Sequence, residues 1–390
     1  MASEDGKGAG EGAIGEAARR PGPPVAADIR FDGDPALGAG FAEALRFAGR
    51  VERATHGFHT YPAGMHPDAA AAVLQVAPEG PVHDPFCGGG TVLVEALLAG
   101  RAATGTDLSP VATLVTTART SGPALATPLR SAARKLAEQA RLRTETWVPD
   151  LCKDWYEPHV AFELGRLRDG ILQQDPEIRP LLWAVLSSIV VKASFRESDT
   201  SNRRKGGHRP PGTTAILFHK KARELGRMLG EMPEERDVRV RRDDACRRAP
   251  PPETALVLTS PPYPGVYDYL PMQQLRYAWL EVEPGNRSLA AEVGSRRGFR
   301  SLGRAAAFRQ WREDTDRWIA TQASSLRSGG LLVVNVGDGL VGGRLVDALS
   351  PTVESLRKAG LEVVARASAD RPDHARGAIR IEHMVAGRAR

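Results

Sequence analysis

Cysteine is scarce in this chain of 390 residues, which contains only Cys87, Cys152 and Cys246. The three are far apart and form no CxxC pair, so neither a disulfide framework nor a zinc site is supported, and no metal is expected. Such sparse cysteine usage is typical of the reducing cytoplasm, which is where we expect the protein to work.

Long apolar runs are also missing. No stretch of about 18 apolar residues occurs, so we expect no transmembrane helix and no membrane partner. The first 24 residues lack the apolar centre of a secretory signal. Residues 1–25 contain no aromatic residue and are rich in Gly, Ala, Glu and Pro, which predicts a disordered tail.

The rest of the composition is that of a globular protein. Hydrophobic residues make up 42% and charged residues 26% of the chain, and the net charge is +6. A basic protein is attracted to polyanions, so nucleic acid is a candidate partner. The length predicts one large domain with an insertion, or two domains.

Strand and helix patterns alternate along the chain, which favours a doubly wound α/β sheet. Residues 111–235 are mostly helical by pattern, and they interrupt the alternation. Two strand patterns near the end, 361–367 and 379–388, can pair as a hairpin. The predicted parts are a tail (1–25), a ligand-binding part (26–110), a mainly helical insertion (111–235) that is a candidate for target recognition, and a catalytic part (236–390).

The segment from 84 to 91, DPFCGGGT, follows a short strand and opens a helix. Ligands bind at such a point in a doubly wound sheet, and the glycines let backbone N–H groups approach them. The Lys-Ser/Thr ending of a phosphate loop is missing. An adenosyl ligand with an amino-acid tail fits better, because Asp84 can meet its ammonium group and the helix N-terminus its carboxylate. Asp107 ends the next strand and can accept both ribose hydroxyls; a plain turn with capping acids is the alternative.

A second motif, Ser260-Pro261-Pro262-Tyr263, ends the strand TALVLT. Two prolines stop the strand and stiffen the turn. The rigid turn can offer a carbonyl and a hydroxyl to the two hydrogens of an NH2 group, and Tyr263 can stack on a base. The alternative is a strand end with a buried tyrosine.

These motifs resemble those of S-adenosylmethionine (SAM)-dependent amino-methyltransferases that act on DNA or RNA. DPFCGGGT is similar to their SAM-binding motif, GTDLSP (105–110) to the motif that follows it, and SPPY to their catalytic motif. The resemblance implies a Rossmann-like SAM methyltransferase fold. It also implies a set of SAM-contacting residues, namely Tyr61, Pro62, Asp84, Pro85, Phe86, Gly88, Gly90, Thr91, Asp107 and Asp244.

Three parts of this assignment are less specific. Tyr61 and Pro62 lie in HTYPAGMHP, which resembles a segment that covers the cofactor in some of these enzymes and is otherwise a structural turn. Asp244 is the expected contact of the SAM adenine, with Asp243 an equal geometric alternative. The segment after SPPY, VYDYLPMQQLRYAWL, resembles that of N4-cytosine enzymes, so it can line the pocket or simply pack.

Two basic stretches are candidates for contact with a phosphate backbone. Residues 196–227 begin with the polar, basic stretch 196–212 and hold nine Lys or Arg and three acids. Residues 286–312, which are predicted to form a loop before a helix at 316–330, hold seven Arg and one acid. A solvated surface is the alternative in both. The expected DNA-contacting residues are Arg203, Arg204, Lys205, Arg296 and Arg297.

The Ser form of the catalytic motif resembles enzymes that methylate cytosine N4, so DNA cytosine N4 is the expected target. The alternatives are RNA or tRNA guanine N2, DNA adenine N6, and a SAM-binding DNA-binding regulator without catalysis. Cytosine C5 is disfavoured, because no cysteine follows a proline as that nucleophile usually does. A cognate restriction endonuclease is a candidate partner, and the oligomeric state stays open.

Overall fold

The computed structural model describes residues 29–62, 64–142, 146–199, 201–285, 290–341, 344–373 and 378–390. The tail predicted at 1–25 lies outside the described residues. Within the described ranges, no helix has both the length and the apolar character needed to cross a bilayer.

A mixed sheet of eight strands forms the centre of the molecule. Its order is β1-β11-β12-β8-β7-β2-β3-β6. The pairs from β8 to β6 are parallel, whereas β12, β11 and β1 join by antiparallel pairing. The strands, including two small hairpins outside this sheet, are β1 (Ile29–Gly33), β2 (Val82–Asp84), β3 (Ala103–Asp107), β4 (Arg196–Ser198), β5 (Ser201–Arg204), β6 (Val238–Arg242), β7 (Thr254–Thr259), β8 (Leu326–Gly337), β9 (Gly339–Val341), β10 (Arg344–Val346), β11 (Glu362–Asp373) and β12 (Ala378–Arg388).

The strand order reverses beside β2. From β2 the chain moves outward through β3 and β6, and it then returns to the other side of β2 with β7 and β8. Every residue of β7 is buried, as expected for a parallel strand covered on both faces. The carboxyl ends of β2 and β7 therefore meet at a topological switch point, where open α/β sheets bind ligands. This doubly wound order confirms the predicted Rossmann-like fold.

Helices cover both faces of the sheet and enclose two apolar cores. One face packs on the first three helices, and the other on the last two long ones. The helices are α1 (Pro35–Ala44), α2 (Pro67–Val76), α3 (Thr91–Leu98), α4 (Pro110–Arg119), α5 (Ala126–Ala140), α6 (Asp150–Lys153), α7 (Pro158–Leu172), α8 (Arg179–Ala193), α9 (Thr213–Leu229), α10 (Tyr269–Met272), α11 (Gln274–Leu280), α12 (Arg296–Ser301), α13 (Arg304–Ala323) and α14 (Leu349–Lys358).

The mainly helical insertion between β3 and β6 is confirmed. Helices α5, α7, α8 and α9 pack around a core of their own, to which Phe58 and Trp279 are added from outside the insertion. The basic stretch 196–212 is not wholly irregular, because β4 and β5 form an antiparallel hairpin within it. The predicted loop 286–312 was wrong over much of its length, since α12 and most of the first half of α13 lie there.

The predicted C-terminal hairpin is also confirmed. Strands β11 and β12 pair antiparallel, and β12 inserts between β11 and β8. Both strands extend beyond the predicted limits towards their connection. Glu382 of β12 pairs with Gly337, the last residue of β8.

Candidate functional site

The two sequence motifs meet at the carboxyl edge of the sheet. Asp84 is the last residue of β2, and Thr259 is the last residue of β7. The Thr259 hydroxyl donates a 2.6 Å hydrogen bond to Asp84 Oδ1. Residues 175 positions apart in sequence thus fix the head of the Gly-rich loop beside the SPPY turn.

The Gly-rich loop depends on glycine for its backbone geometry. Gly88 and Gly90 have φ values of 48° and 81°, which favour glycine over other residues. A Cβ on Gly90 would lie 2.9 Å from the side chain of Thr116. Gly90 therefore serves to turn the chain into α3, and it does not line the cavity described below.

Asp84 has one carboxylate oxygen in use and one available. Oδ1 accepts hydrogen bonds from Thr259 and from the Phe86 amide (3.1 Å). Within the part of the chain that the structure describes, Oδ2 has no hydrogen-bond partner. Burial raises the pKa of Asp84 to about 7, although its hydrogen bonds with Thr259 and Phe86 act to lower it. A cation beside Oδ2 would favour the charged form.

Asp107 fastens the loop from the neighbouring strand. Its Oδ2 accepts a 2.9 Å hydrogen bond from the Gly88 amide, and its Oδ1 accepts a 2.8 Å bond from the Ser109 amide. Burial raises the pKa of Asp107 to about 6, against the effect of these two amides. Each carboxylate oxygen keeps a second lone pair, which can accept from a hydroxyl of a ligand.

Arg119 and Tyr61 hold the segment before β2 over the loop. The fully buried Arg119 guanidinium donates to the carbonyls of Gly89 (2.7 Å), His56 (2.9 Å) and His59 (2.5 Å). A Cβ on Gly88 would lie 3.3 Å from the Tyr61 ring. Sequence reasoning placed Tyr61 here but missed Arg119, since a single arginine at the end of a helix pattern gives no sign of its distant partners.

A partly open cavity lies in front of these residues. Of the predicted cofactor contacts, all but Gly90 line it, and Ser260 and Pro262 line it as well, whereas Pro261 does not. Those predicted residues are Tyr61, Pro62, Asp84, Pro85, Phe86, Gly88, Thr91, Asp107 and Asp244.

The residues around this cofactor cavity fit an adenosyl ligand with an amino-acid tail. Oδ2 of Asp84 is an acceptor for an ammonium group, and the N-terminus of α3 can bind a carboxylate. Asp107 is placed for hydroxyls. Asp243 and Asp244 both line the far part of the cavity, so the structure keeps both as partners of an adenine amine.

A second cavity adjoins the first at the SPPY turn, and we call it the aromatic cavity. The residues shared with the cofactor cavity are Gly64, Met65, Ser260 and Tyr269. Its walls add aromatic rings and a few polar groups, namely Phe47, His66, Tyr263, Tyr267, Asn335, Arg371, Arg380 and Glu382. Tyr263 faces this cavity, and its hydroxyl donates a 3.0 Å hydrogen bond to Glu382.

The five predicted nucleic-acid contacts differ in what they already bind. Arg297 forms an ion pair with Glu292 at 2.9 Å and approaches Asp268 at 3.5 Å, so its charge is neutralised locally. Arg204 donates to the Asp154 carbonyl (2.6 Å) and lies over the rings of Trp155 and Phe195.

The other three offer more to a ligand. Arg203 and Arg296 are exposed, and Lys205 is half-buried. The β4–β5 hairpin packs near the site, because Arg196 donates to the carbonyl of Met272, three residues after Tyr269, at 3.0 Å.

The part of the chain that contains the Gly-rich loop is similar to known proteins. Residues 57–149 match the family model described as UPF0020, RMKL-like, methyltransferase domain. A stretch of 71 residues is 42% identical to the type II methyltransferase M.MvaI of Kocuria varians. That stretch is 17% of this chain and 16% of the relative, so the match spans well under two thirds of the relative's length.

Solved structures were compared over most of the chain. TrmN from Thermus thermophilus is 12% identical with a TM-score of 0.30, covering 82% of this chain and 48% of its own. The rRNA methyltransferase aviRa from Streptomyces viridochromogenes is 13% identical with a TM-score of 0.33, covering 85% of this chain and 88% of its own.

Residues 57–149 thus match a methyltransferase domain, and the Gly-rich loop of that domain lines the cofactor cavity. The methyl donor that such a domain implies is SAM, whose reactive methyl group is carried by a sulfonium cation.

Proposed function

We propose that the protein is a SAM-dependent methyltransferase that modifies the exocyclic amine of a nucleic-acid base, and that cytosine N4 in DNA is its target. The observation that carries the proposal is the junction of the two cavities at Ser260. A methyl donor in one cavity and a flat heterocycle in the other would meet at the SPPY turn, as direct transfer requires.

Methyl transfer requires little of the protein beyond correct placement of SAM and the amine. SAM supplies an activated methyl group, so the amine needs no strong base to remove a proton first. The Ser260 hydroxyl and the carbonyls of the turn can accept N–H groups of the amine, which draws its lone pair out of conjugation with the ring. Tyr263, held by Glu382, and the neighbouring Tyr269 present rings on which a base can stack.

Cytosine and DNA are favoured by two separate observations. The Ser form of the motif resembles N4-cytosine enzymes, and the relative from Kocuria varians is named a type II methyltransferase. By the same reasoning we propose a role in DNA methylation within restriction-modification, with a cognate endonuclease as partner. Three free cysteines are consistent with a cytoplasmic location.

A basic surface beside the cavities supports the nucleic-acid part of the proposal. Arg203 and Lys205 lie on or just after the β4–β5 hairpin, and the Arg276–Asp199 ion pair fixes the turn of that hairpin against α11. Exposed cations at this place can follow a phosphate backbone while a base enters the aromatic cavity.

The direct test is transfer of a labelled methyl group from SAM to DNA and to RNA, followed by nucleoside digestion and mass spectrometry. We expect N4-methylcytosine from DNA. N2-methylguanine from RNA or N6-methyladenine from DNA would replace the target and keep the chemistry, whereas a nucleic acid without label would overturn the proposal.

Ser260→Ala separates catalysis from mere binding. Loss of an acceptor that acts on the reacting amine should lower the transfer rate about 10²-fold or more, by analogy with removal of a single oxyanion-hole group. SAM affinity, measured by calorimetry, should stay within about threefold. Ser324→Ala, on the exposed end of α13, is the matched control, and equal rates for both variants would remove Ser260 from the mechanism.

A further inference from the structure

The wall of the aromatic cavity beside the SPPY turn contains a partly buried polar network that no motif assigns. It consists of Asn335 on β8, Glu382 on β12, Arg371 on β11 and the Tyr263 hydroxyl. The register of the sheet puts Asn335 close to the turn, because Val334 pairs with Thr259 and the next residue on each strand is Asn335 and Ser260. The inference drawn from this network rests on the proposed function.

Glu382 is the fixed centre of the network. Its Oε1 accepts hydrogen bonds from the Tyr263 hydroxyl (3.0 Å) and from Asn335 Nδ2 (3.2 Å). Its Oε2 accepts from Arg371 Nε at 2.7 Å, and the same guanidinium also donates to the Leu45 carbonyl at 2.6 Å. Three donors from three elements hold this carboxylate in one orientation.

The fixed carboxylate decides which way the Asn335 amide faces. A carboxylate can only accept, so the amide group facing it must be the NH2. The other end, Oδ1, is buried and has no hydrogen-bond partner among the described residues, and Asn335 as a whole is only 5% exposed. A buried acceptor without a partner destabilises the fold, so such a group in a cavity wall indicates a donor that arrives with a ligand.

The amide offers more than one free position. Nδ2 carries two hydrogens, and Glu382 accepts one of them. When Glu382 accepts the hydrogen trans to Oδ1, the remaining hydrogen and Oδ1 form an adjacent donor and acceptor. The matching edge of a heterocycle has an amino group next to an unprotonated ring nitrogen, which is the pattern that asparagine reads on adenine.

We propose that Asn335 is a specificity-determining residue that reads the target base. Its Oδ1 accepts the amine hydrogen on the side of the ring nitrogen, its Nδ2 donates to that nitrogen, and the SPPY turn accepts the other amine hydrogen. Cytosine, with N4 beside N3, presents this edge. Uracil presents the reverse, a carbonyl oxygen beside a ring N–H, and would leave both groups of the amide opposed by like groups.

Two oligonucleotides that differ only in this edge test the proposal. Fluorescence anisotropy would give the Kd of labelled (dC)12 and (dU)12 at pH 8, with S-adenosylhomocysteine present so that no methyl transfer occurs. Backbone charge and length are the same in both, so the ratio of the two Kd values isolates the base. We expect the wild-type protein to prefer (dC)12 by about 5- to 150-fold, which corresponds to one bidentate contact.

Asn335→Leu keeps approximate volume and removes both polar groups, and it should bring the ratio to within about threefold of one. Tyr267→Phe is the matched control, because it removes a hydroxyl from the same cavity and leaves the amide intact; its ratio should stay at the wild-type value. An unchanged S-adenosylhomocysteine affinity shows that the variants fold, and Asn335→Ser serves in place of Asn335→Leu if that variant does not.

The outcomes separate this inference from the proposed function. A wild-type ratio near one, or a preference that survives both replacements of Asn335, overturns the inference even if the enzyme forms N4-methylcytosine. A preference that Asn335 controls, without any methylated base in the transfer assay, upholds the reading of the base and overturns the proposed function.

Discussion

At the scale of single residues, the buried charge of Asp84 serves ligand binding but lowers the free energy of unfolding. Its Oδ1 is committed to Thr259 and Phe86, so Asp84→Asn can keep those contacts and change only the group facing the cavity. We expect the variant to bind SAM about 10- to 100-fold more weakly, because a charge-assisted hydrogen bond to the ammonium group is worth about 1.5–3 kcal/mol. Calorimetry with SAM measures the change, and unchanged affinity would remove Asp84 from the cofactor site.

The raised pKa of Asp84 adds a pH dependence with a definite sign. The pKa of Asp84 is about 7 in the folded protein and 3.8 in the reference state. The stability contributed by the protonated carboxyl is therefore present below about pH 4 and is lost as pH rises through 7. Without ligand, Asp84→Asn should therefore unfold with a free energy higher by roughly 4 kcal/mol at pH 8 and about equal to wild type near pH 4, because a difference of one pKa unit corresponds to about 1.4 kcal/mol. Urea unfolding at both pH values checks this. A variant that is less stable at pH 8 would show that the buried charge is compensated.

Residue roles were predictable where the chain itself carries the pattern. Asp84, Gly88 and Asp107 lie in a loop whose composition and spacing indicate a ligand. Arg119 and Glu382 could not be found in this way, because each acts on partners tens to hundreds of positions away. Such roles depend on the tertiary fold, and no local pattern marks them.

At the scale of secondary-structure elements, charged residues obscured the amphipathic pattern of one helix. Helix α13 begins at Arg304, whereas the sequence pattern predicts a helix only from residue 316. Its buried side chains include Ala307, Trp311 and Trp318, spaced as one narrow helical stripe. Charged residues on the remaining surface made its first half look like a basic loop. Strands were predicted more accurately, since the buried run of β7 contains no such interruption.

The Arg119 side chain joins helix α4 to the segment before β2, which gives a test of how that segment is held. Arg119→Lys keeps the charge and loses the planar fork that reaches three carbonyls. We expect SAM affinity to fall at least tenfold and amide hydrogen exchange to rise in residues 53–62, because buried hydrogen bonds to a charged group contribute about 1.5–3 kcal/mol each. Arg130→Lys, on the exposed face of α5, is the control, and equal exchange in the two variants would show that the segment is held by other contacts.

At the scale of the whole molecule, the strand order explains why one edge of the sheet carries the site. The reversal beside β2 leaves the carboxyl ends of β2 and β7 open to a ligand, while the opposite edge is occupied by connections such as the one from α14 to β11. The doubly wound class of the sheet could be predicted from the alternating strand and helix patterns, whereas the order of its strands required the structure. The insertion could be predicted as helical, but its packing around α8 and its hairpin near Tyr269 required the structure.

A net charge of +6 attracts DNA to any surface of the protein, so a test of the hairpin needs a control at the opposite edge of the sheet. If the β4–β5 hairpin follows the backbone, replacing both Arg203 and Lys205 by Gln should make the slope of log K against log[salt] shallower by about 1.4–1.8, since each phosphate contact contributes about 0.7–0.9. The pair Arg357→Gln and Lys358→Gln removes the same charge at the opposite edge and should leave the slope unchanged. Binding of (dC)12 between 50 and 200 mM salt gives both values. Equal slopes for the two double variants would mean that the net charge of the whole protein, and not the hairpin, attracts nucleic acid. The path of the phosphate backbone would then have to be sought along α12, where Arg296 is exposed.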